Sequence, residues 1–497
     1  MNIALLLEMA AEGLPDRTAV GSRGSGTTYA ELLTRARRAA GFVRADPAAR
    51  RLAMLDLNSG TLPVLLFGAA LAGVPFVPLN YRLADDRLRD LVARNVPAHL
   101  VVDPPVIDRL GATEGLAVIT RAEFEERLIT QVPQETPADE DDEAVAVLLF
   151  TSGTTGPPKA AVLRHRHLTS YILNTSEFAS AGEDEATLVS VPPYHIAGVS
   201  AVLSAVYAGR RLVYLPAFTE RDWVARARDE AITHAMVVPT MLGRILEELE
   251  STGTRLPSLT HLSYGGGPMP TPVVERAMRL LPHVNLVNAY GLTETSSTIA
   301  ILTPDDHRTA ATSDDTTVRA RLGSVGRATP AVELEVRDPL GYPVATGEVG
   351  EVWVRGEQVA GEYLGSDASD GWFSTRDSGY LDADGYLFLA GRLDDVIVRG
   401  GENISPGEIE EVLLQHPDVA EAAVVGTPDE RWGERVVAYV VPTAGVTGSE
   451  ADLQHHVRTR LRSTCTPEEI HFLDELPYNE TGKLLRRVLR ARASTRV

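Results

Sequence analysis

The stretch LLFTSGTTGPPKAAVLRHRH, residues 148–167, runs from apolar residues ending at Phe150 into glycines and hydroxyls, and then reaches a lysine. Its start closes an apolar run, AVAVLLF (residues 144–150), that reads as a buried strand. Gly153 and Gly156 let backbone N–H groups come close to an anion. Thr151, Ser152, Thr154 and Thr155 add donors, and Lys159 supplies a point charge. Phosphate is the expected guest. The spacing is not the Walker form, which requires four residues between its glycines and a Ser or Thr after the lysine. Taken alone, the loop also reads as an exposed surface turn.

Outward from this strand the chain repeats one texture. RLAMLDL (51–57), AHLVVD (98–103), ATLVSVP (186–192), RLVYLP (211–216), HAMVVP (234–239), LTHLSY (259–264) and VNLVNA (284–289) are short apolar runs, several of them separated by helical patterns such as TMLGRILEELE (240–250). That alternation predicts βαβ units and parallel sheets. Past Arg319 the runs become short and turn-rich, as in GEVGEVWVRGE (347–357), and predict a β-rich subdomain. From about Asp394 onward, a segment of roughly 100 residues reads as mixed strands and helices, a sufficient length for a domain.

Residues 60–80 are uncharged and long enough to suggest a membrane span, but GVP divides them into a buried helix and a strand. The first residues, MNIALLLEMAAEGLPD, carry no leading basic residue and are interrupted by Glu8 and Glu12, so they predict an amphipathic surface helix rather than a secretory signal. The acidic run at residues 133–143 reads as a solvated connection. A net charge of −21 over 497 residues opposes general attraction to nucleic acid or to an anionic membrane. One cysteine, Cys465, allows no internal disulfide and suits a reducing cytoplasm.

Three further motifs follow the loop in order: NAYGLTET (288–295), GYLDADGYLFLAGRLDDVIVRGGENISPGEIEEVL (379–413) and NETGKLLRRVL (479–489). Together with TYAEL (28–32) and PLNYRL (78–83), their order and separations resemble the adenylate-forming superfamily of acyl- and aryl-CoA synthetases, luciferases and nonribosomal peptide synthetase adenylation domains. The resemblance implies an α/β fold: a large N-terminal domain, residues 1–393, of stacked mixed and parallel sheets flanked by helices plus a β-rich subdomain. A small mobile α+β domain, residues 394–497, would follow a hinge near Asp394. It also implies ATP, Mg2+ and CoA, with a carboxylate attacking the ATP α-phosphate and a thiol then attacking the acyl-adenylate.

The same resemblance assigns residues. The loop from Thr151 to Lys159 would cradle the outer phosphates, Thr293 would contact phosphate, and Glu294 would hold magnesium, a cation that prefers oxygen ligands. Asp377 would accept the ribose hydroxyls, with Arg392 as a second ribose contact. Gly265, Gly266, Gly267 and Pro268 would flank adenine on one side and the acyl pocket on the other. Asn288, Ala289, Tyr290, Gly291 and Leu389 would complete the nucleotide site, and Lys483 would bridge the carboxylate and the α-phosphate.

Gly400 and Gly401 would let a pantetheine arm pass. Trp432 would lie near the CoA nucleotide, unless it is a packed core tryptophan. The acyl pocket would involve His195, Ala197, Gly198, Val199 and Gly265, with His195 either positioning the carboxylate or simply packing. No acid occurs in VPPYHIAGVSAVLSAVYAG (191–209), where amino-acid-activating relatives place one, so an α-amino acid is not expected.

Two departures stand out. Ala160 replaces a usual glycine, and the residues RHRH (164–167) replace a more usual pattern. His165 and His167, two apart, make a poor helical metal pair. The reading is therefore an AMP-forming acyl- or aryl-CoA ligase. Its alternatives are loading of a carrier-protein pantetheine, activation of another oxyanion such as nitrite, and a catalytically silent nucleotide-binding protein. A homodimer is compatible with all of these.

Overall fold

A computed structural model gives the structure, describing residues 1–135, 140–151, 159–364, 371–399, 402–429, 431–443, 445–446, 448–478 and 484–494. The apolar runs become the strands of two sheets. The first has the order Leu116–Thr120, Ala98–Val102, Leu52–Leu55, Phe76–Pro78, Val145–Thr151, Lys159–Arg164. Its pairings are parallel except the last, which folds Lys159–Arg164 back antiparallel on Val145–Thr151. The second sheet has nine strands. At its centre, Asn285–Leu292, His261–Gly265, His234–Val237, Ala186–Val189 and Arg211–Tyr214 run parallel, and antiparallel strands close both edges.

Helices fill the space between the sheets. One apolar cluster combines Leu52, Met54 and Phe76 of the first sheet with Val20, Val189 and Leu212 of the second, and with residues of Ala4–Gly13, Tyr29–Arg44, Thr61–Ala72 and Ile196–Ala208. Thr61–Ala72 has no polar face because it has no wet face: Thr61 through Leu71 are all buried. Each large side chain there, such as Leu65 or Phe67, gains about 1.5–3 kcal/mol from leaving water. The helix stops at Gly73, whose φ of 76° is left-handed and easily adopted only by glycine. The uncharged stretch thus splits into helix and strand as its GVP breaker requires. Among the described residues no helix is long and apolar enough to cross a membrane.

The N-terminal helix lies deeper than a surface helix. Ile3, Leu6, Leu7 and Ala10 are fully buried, leaving Met9 and Glu12 outward. Part of the acidic connection is also anchored, since Asp142 pairs with the terminal ammonium of Met1 at 2.7 Å.

The β-rich segment is a four-stranded antiparallel sheet in the order Glu333–Arg337, Gly350–Arg355, Phe373–Leu381, Leu387–Arg392. Beyond it a five-stranded sheet, including Val419–Asp429 and Gly433–Pro442, packs against Pro406–Leu414, Glu450–Arg458 and Arg486–Ser494. The two apolar clusters of this last part, around Ile409 and Val436 and around Val437 and Leu489, draw only on residues after Asp394.

Candidate active site

Asp377 and Arg392 face each other because their strands pair antiparallel in that register. Arg392 Nη1 lies 3.1 Å from Asp377 Oδ1, and the Tyr290 hydroxyl donates to Oδ2 at 2.6 Å. The carboxylate is 7% exposed, and its own N–H donates to Thr375 Oγ1 at 3.1 Å. Burial, and then the Asp377 charge, push the Tyr290 phenol well above its ordinary pKa, so it stays a donor. Arg392 Nε is buried without a hydrogen-bond partner among the described residues. A paired, oriented carboxylate suits the acceptance of two vicinal hydroxyls.

Glu294 sits on the short turn Thr293–Thr295 that follows Asn285–Leu292. The turn is braced by Thr295, whose hydroxyl oxygen accepts from Leu292 N at 2.9 Å and whose one proton is within reach of Ser297 O at 2.8 Å or Leu292 O at 3.0 Å, and it ends with Ser296 at φ 56°. Glu294 is 8% exposed and accepts the Tyr363 hydroxyl at 2.5 Å. Among the described residues no arginine, lysine or histidine pairs with it. A nearly buried carboxylate without a counter-charge is costly, and its oxygen chemistry fits a hard divalent cation such as magnesium. Lys159, at the start of its strand, places Nζ 5.4 Å from the centre of the Tyr363 ring. Burial, and then Glu294, push the Tyr363 phenol up as well.

The loop 265–268 leaves the end of the strand His261–Gly265. A Cβ at Gly265 would run into Ala289 O on the neighbouring strand, so only glycine permits this register. Gly266, Gly267 and Pro268 continue as the turn into Thr271–Leu280, a strand-to-helix connection that leaves room for the expected nucleotide role. Tyr264 beneath them donates or accepts with His307 Nε2 at 2.8 Å. Asn288 spends its amide on Ser324 O at 3.1 Å, and Gly291 is packed against Ser297 O. Leu389 is 36% exposed on the β-rich sheet.

His195 precedes the helix Ile196–Ala208, with its Nε2 enclosed and without a hydrogen-bond partner among the described residues and its ring 4.7 Å from that of Tyr194. Ala197 is half-buried, and a Cβ at Gly198 would come within 2.9 Å of Pro192 O. Val199 corrects the expectation: it is fully enclosed in the core between the sheets and offers no surface to a ligand.

Ser152, Gly153, Thr154, Thr155 and Gly156 lie outside the described residues, as do Gly400, Gly401 and Lys483. Thr151 and Lys159 pair across the base of the loop. Trp432 is 41% exposed, which removes the core reading, and the guanidiniums of Arg431 and Arg399 lie 4.9 and 5.8 Å from its ring. Asp394 pairs with Arg376 at 2.6 Å, which holds its carboxyl below the ordinary range.

The sequence reading missed Tyr363, and the arginine in RHRH explains why it matters. Arg164 donates to both oxygens of Glu362 at 3.0 and 2.8 Å, docking the segment 360–364 onto Lys159–Arg164. The only available signal was a Glu-Tyr pair amid small residues in VAGEYLG.

His165 and His167 are packing residues: His165 Nδ1 accepts from Ile3 N and His167 Nδ1 from Arg164 N. Burial, and then Arg166 and Arg164, hold His167 at about 3 against 6.5, and burial with Arg82 holds His195 at about 4. Above the unfolded value both forms are neutral. Below it the unfolded chain takes up protons that the folded chain refuses, so stability falls as pH falls. The melting temperature should drop between about pH 6.5 and about pH 4, and His167→Asn should flatten that slope. An unchanged slope would contradict the assignment.

Comparison with known proteins gives the family. A family model described as AMP-binding enzyme matches residues 7–364, and one described as AMP-binding enzyme C-terminal domain matches residues 408–483. The chain belongs to this AMP-binding family of adenylate-forming acid–CoA ligases. It is 34% identical to a fatty acid–[acyl-carrier-protein] ligase of Streptomyces coeruleorubidus, over 97% of this chain and 94% of that protein. It is 33% identical to an indoleacetate–CoA ligase of Aromatoleum aromaticum, over 95% and 94%. The o-succinylbenzoate CoA synthetase of Bacillus subtilis, solved with its acyl-adenylate, superposes with a TM-score of 0.83 at 29% identity, covering 98% of this chain and 97% of that one. The same enzyme has also been solved with ATP and a magnesium ion, with a TM-score of 0.81.

Proposed function

We propose that the protein joins a carboxylic acid lacking an α-amino group to CoA in two steps. The acid's oxygen bonds to the α-phosphorus of ATP as pyrophosphate leaves, and the CoA sulfur then bonds to the acyl carbon as AMP leaves. The observation that carries this reading is the nearly buried Glu294, with no cationic partner among the described residues, linked through Tyr363 to Lys159 at the foot of the glycine loop. Glu294 would hold magnesium, which when bound offsets charge on the departing pyrophosphate. Thr293 and the loop 151–159 supply donors to the phosphates, Asp377 and Arg392 take the ribose, and residues 265–268 flank the adenine. His195, enclosed and neutral, offers a hydrogen bond to the substrate carboxylate. Lys483 completes the charge cage.

The proposal includes a domain boundary at residues 393/394, with Asp394 as the hinge about which the C-terminal part turns between the two steps. An exposed Trp432 with two guanidiniums near its ring favours CoA as acceptor, because its nucleotide offers a base to stack and phosphates to pair. A carrier-protein pantetheine is the alternative acceptor, kept by the similarity to an acyl-carrier-protein ligase. A buried free thiol at Cys465 suits work in a reducing cytoplasm.

The test is exchange of labelled pyrophosphate into ATP across aliphatic, aryl and amino acids, followed by addition of CoA or a holo carrier protein. Exchange with no acid at all would sink the reading. Trp432→Ala should raise the KM for CoA about tenfold and leave pyrophosphate exchange unchanged. An unchanged KM for CoA, with full loading of a carrier, would move the acceptor to the carrier.

A further inference from the structure

We propose that Tyr363 is a positioning residue for both charged groups of the phosphate site: it orients Glu294 for the divalent cation and fixes the Lys159 ammonium. This rests on the reading of Glu294 as the cation's ligand. One hydroxyl meets Glu294 Oε1 at 2.5 Å, and one ring lies beneath Lys159 Nζ at 5.4 Å. A carboxylate on a short turn rotates about its last torsion unless one oxygen is held. The phenol bond holds one oxygen and leaves the other to aim at the cation.

The tyrosine is itself held from both sides. Its backbone bridges Ala161 in antiparallel fashion, flanked by Val162 N donating to Glu362 O at 3.0 Å and Leu364 N donating to Ala160 O at 2.9 Å. From the other side, Ala360 N and Gly361 N donate to Glu294 O at 2.9 and 3.0 Å. The buried amide of Gln358 donates to Thr295 O and Thr298 O at 3.2 and 2.8 Å. The Arg164–Glu362 pair pins this strap to the strand that starts with Lys159. Segment 358–364 therefore welds the cation's turn to the lysine's strand, and Tyr363 is the side chain that reaches both functional groups. A tyrosine there for packing alone would be replaced by phenylalanine without consequence for metal binding.

The experiment is Mn2+ titration of the ATP-loaded protein, read by the loss of the free-ion paramagnetic resonance signal. Tyr363→Phe should weaken Mn2+ binding about tenfold, the effect of losing a hydrogen bond to a charged group. Metal-free ATP binding should be unchanged, because the ring remains under Lys159. Tyr363→Leu should weaken metal-free ATP binding as well. Glu294→Gln separates the layers of the argument. If it leaves Mn2+ binding intact, Glu294 is not the ligand and the underlying assignment fails. If it weakens binding while Tyr363→Phe does not, the positioning role alone is overturned. Should Phe at 363 fail to fold, Arg164→Gln unpins the strap while keeping Tyr363 and Glu294. About threefold weaker Mn2+ binding then supports the proposal, and unchanged binding overturns it.

Discussion

Lys483→Ala is expected to lower carboxylate-dependent pyrophosphate exchange by about a hundredfold to a thousandfold, the usual effect of removing one charge-stabilising group from a transition state. Thioester formation from a supplied acyl-adenylate should stay within about threefold of the parent, because the thiol step reaches the same carbonyl without new charge on phosphorus. The argument is one of charge. Attack on the α-phosphorus gathers negative charge where the body of the protein already spends its cations. Among the described residues, Arg392 is paired with Asp377 and Arg376 with Asp394, while Lys159 lies over Tyr363 at the base of the loop proposed for the outer phosphates. The innermost phosphate needs a cation from elsewhere, and NETGKLLR carries one. Equal loss of both half-reactions would count against a C-terminal domain that turns between them.

The sequence made the sheets legible because a parallel strand covered on both faces carries few polar residues to disguise it, as in RLVYLP and HAMVVP. The helix Thr61–Ala72 was legible for the same reason, through the glycine and proline that break its apolar run. The pair proposed for the ribose could be named but not joined: Asp377 and Arg392 are 15 positions apart, and only the register of an antiparallel hairpin sets them side by side. Tyr363 was invisible because its role comes from a strap that contacts two distant elements, and neither composition nor periodicity encodes that. Val199 was misread since a small apolar residue beside glycine in a pocket motif has the same letters whether it faces a ligand or the core. Depth of burial is set by how the two sheets pack on each other, which the neighbouring letters do not encode.

Asp377→Ala is expected to raise the KM for ATP about a hundredfold or more, since each hydrogen bond to a charged group contributes about 1.5–3 kcal/mol and two ribose hydroxyls are lost together. The sharper signature is selectivity. The parent protein should use 2′-deoxy-ATP at least about tenfold less efficiently than ATP, because the missing hydroxyl leaves a nearly buried carboxylate oxygen poorly satisfied. The alanine variant should treat the two nucleotides alike. Its melting temperature should fall by several degrees, as the Tyr290 hydroxyl and Arg392 Nη1 lose their acceptor in a poorly hydrated place. Stability and selectivity can be told apart with Tyr290→Phe, which removes one donor to Asp377 but leaves the carboxylate to meet the ribose: it should lower the melting point while keeping the discrimination. Discrimination that survives in Asp377→Ala would place the ribose elsewhere, and the nucleotide would have to be turned in the cleft.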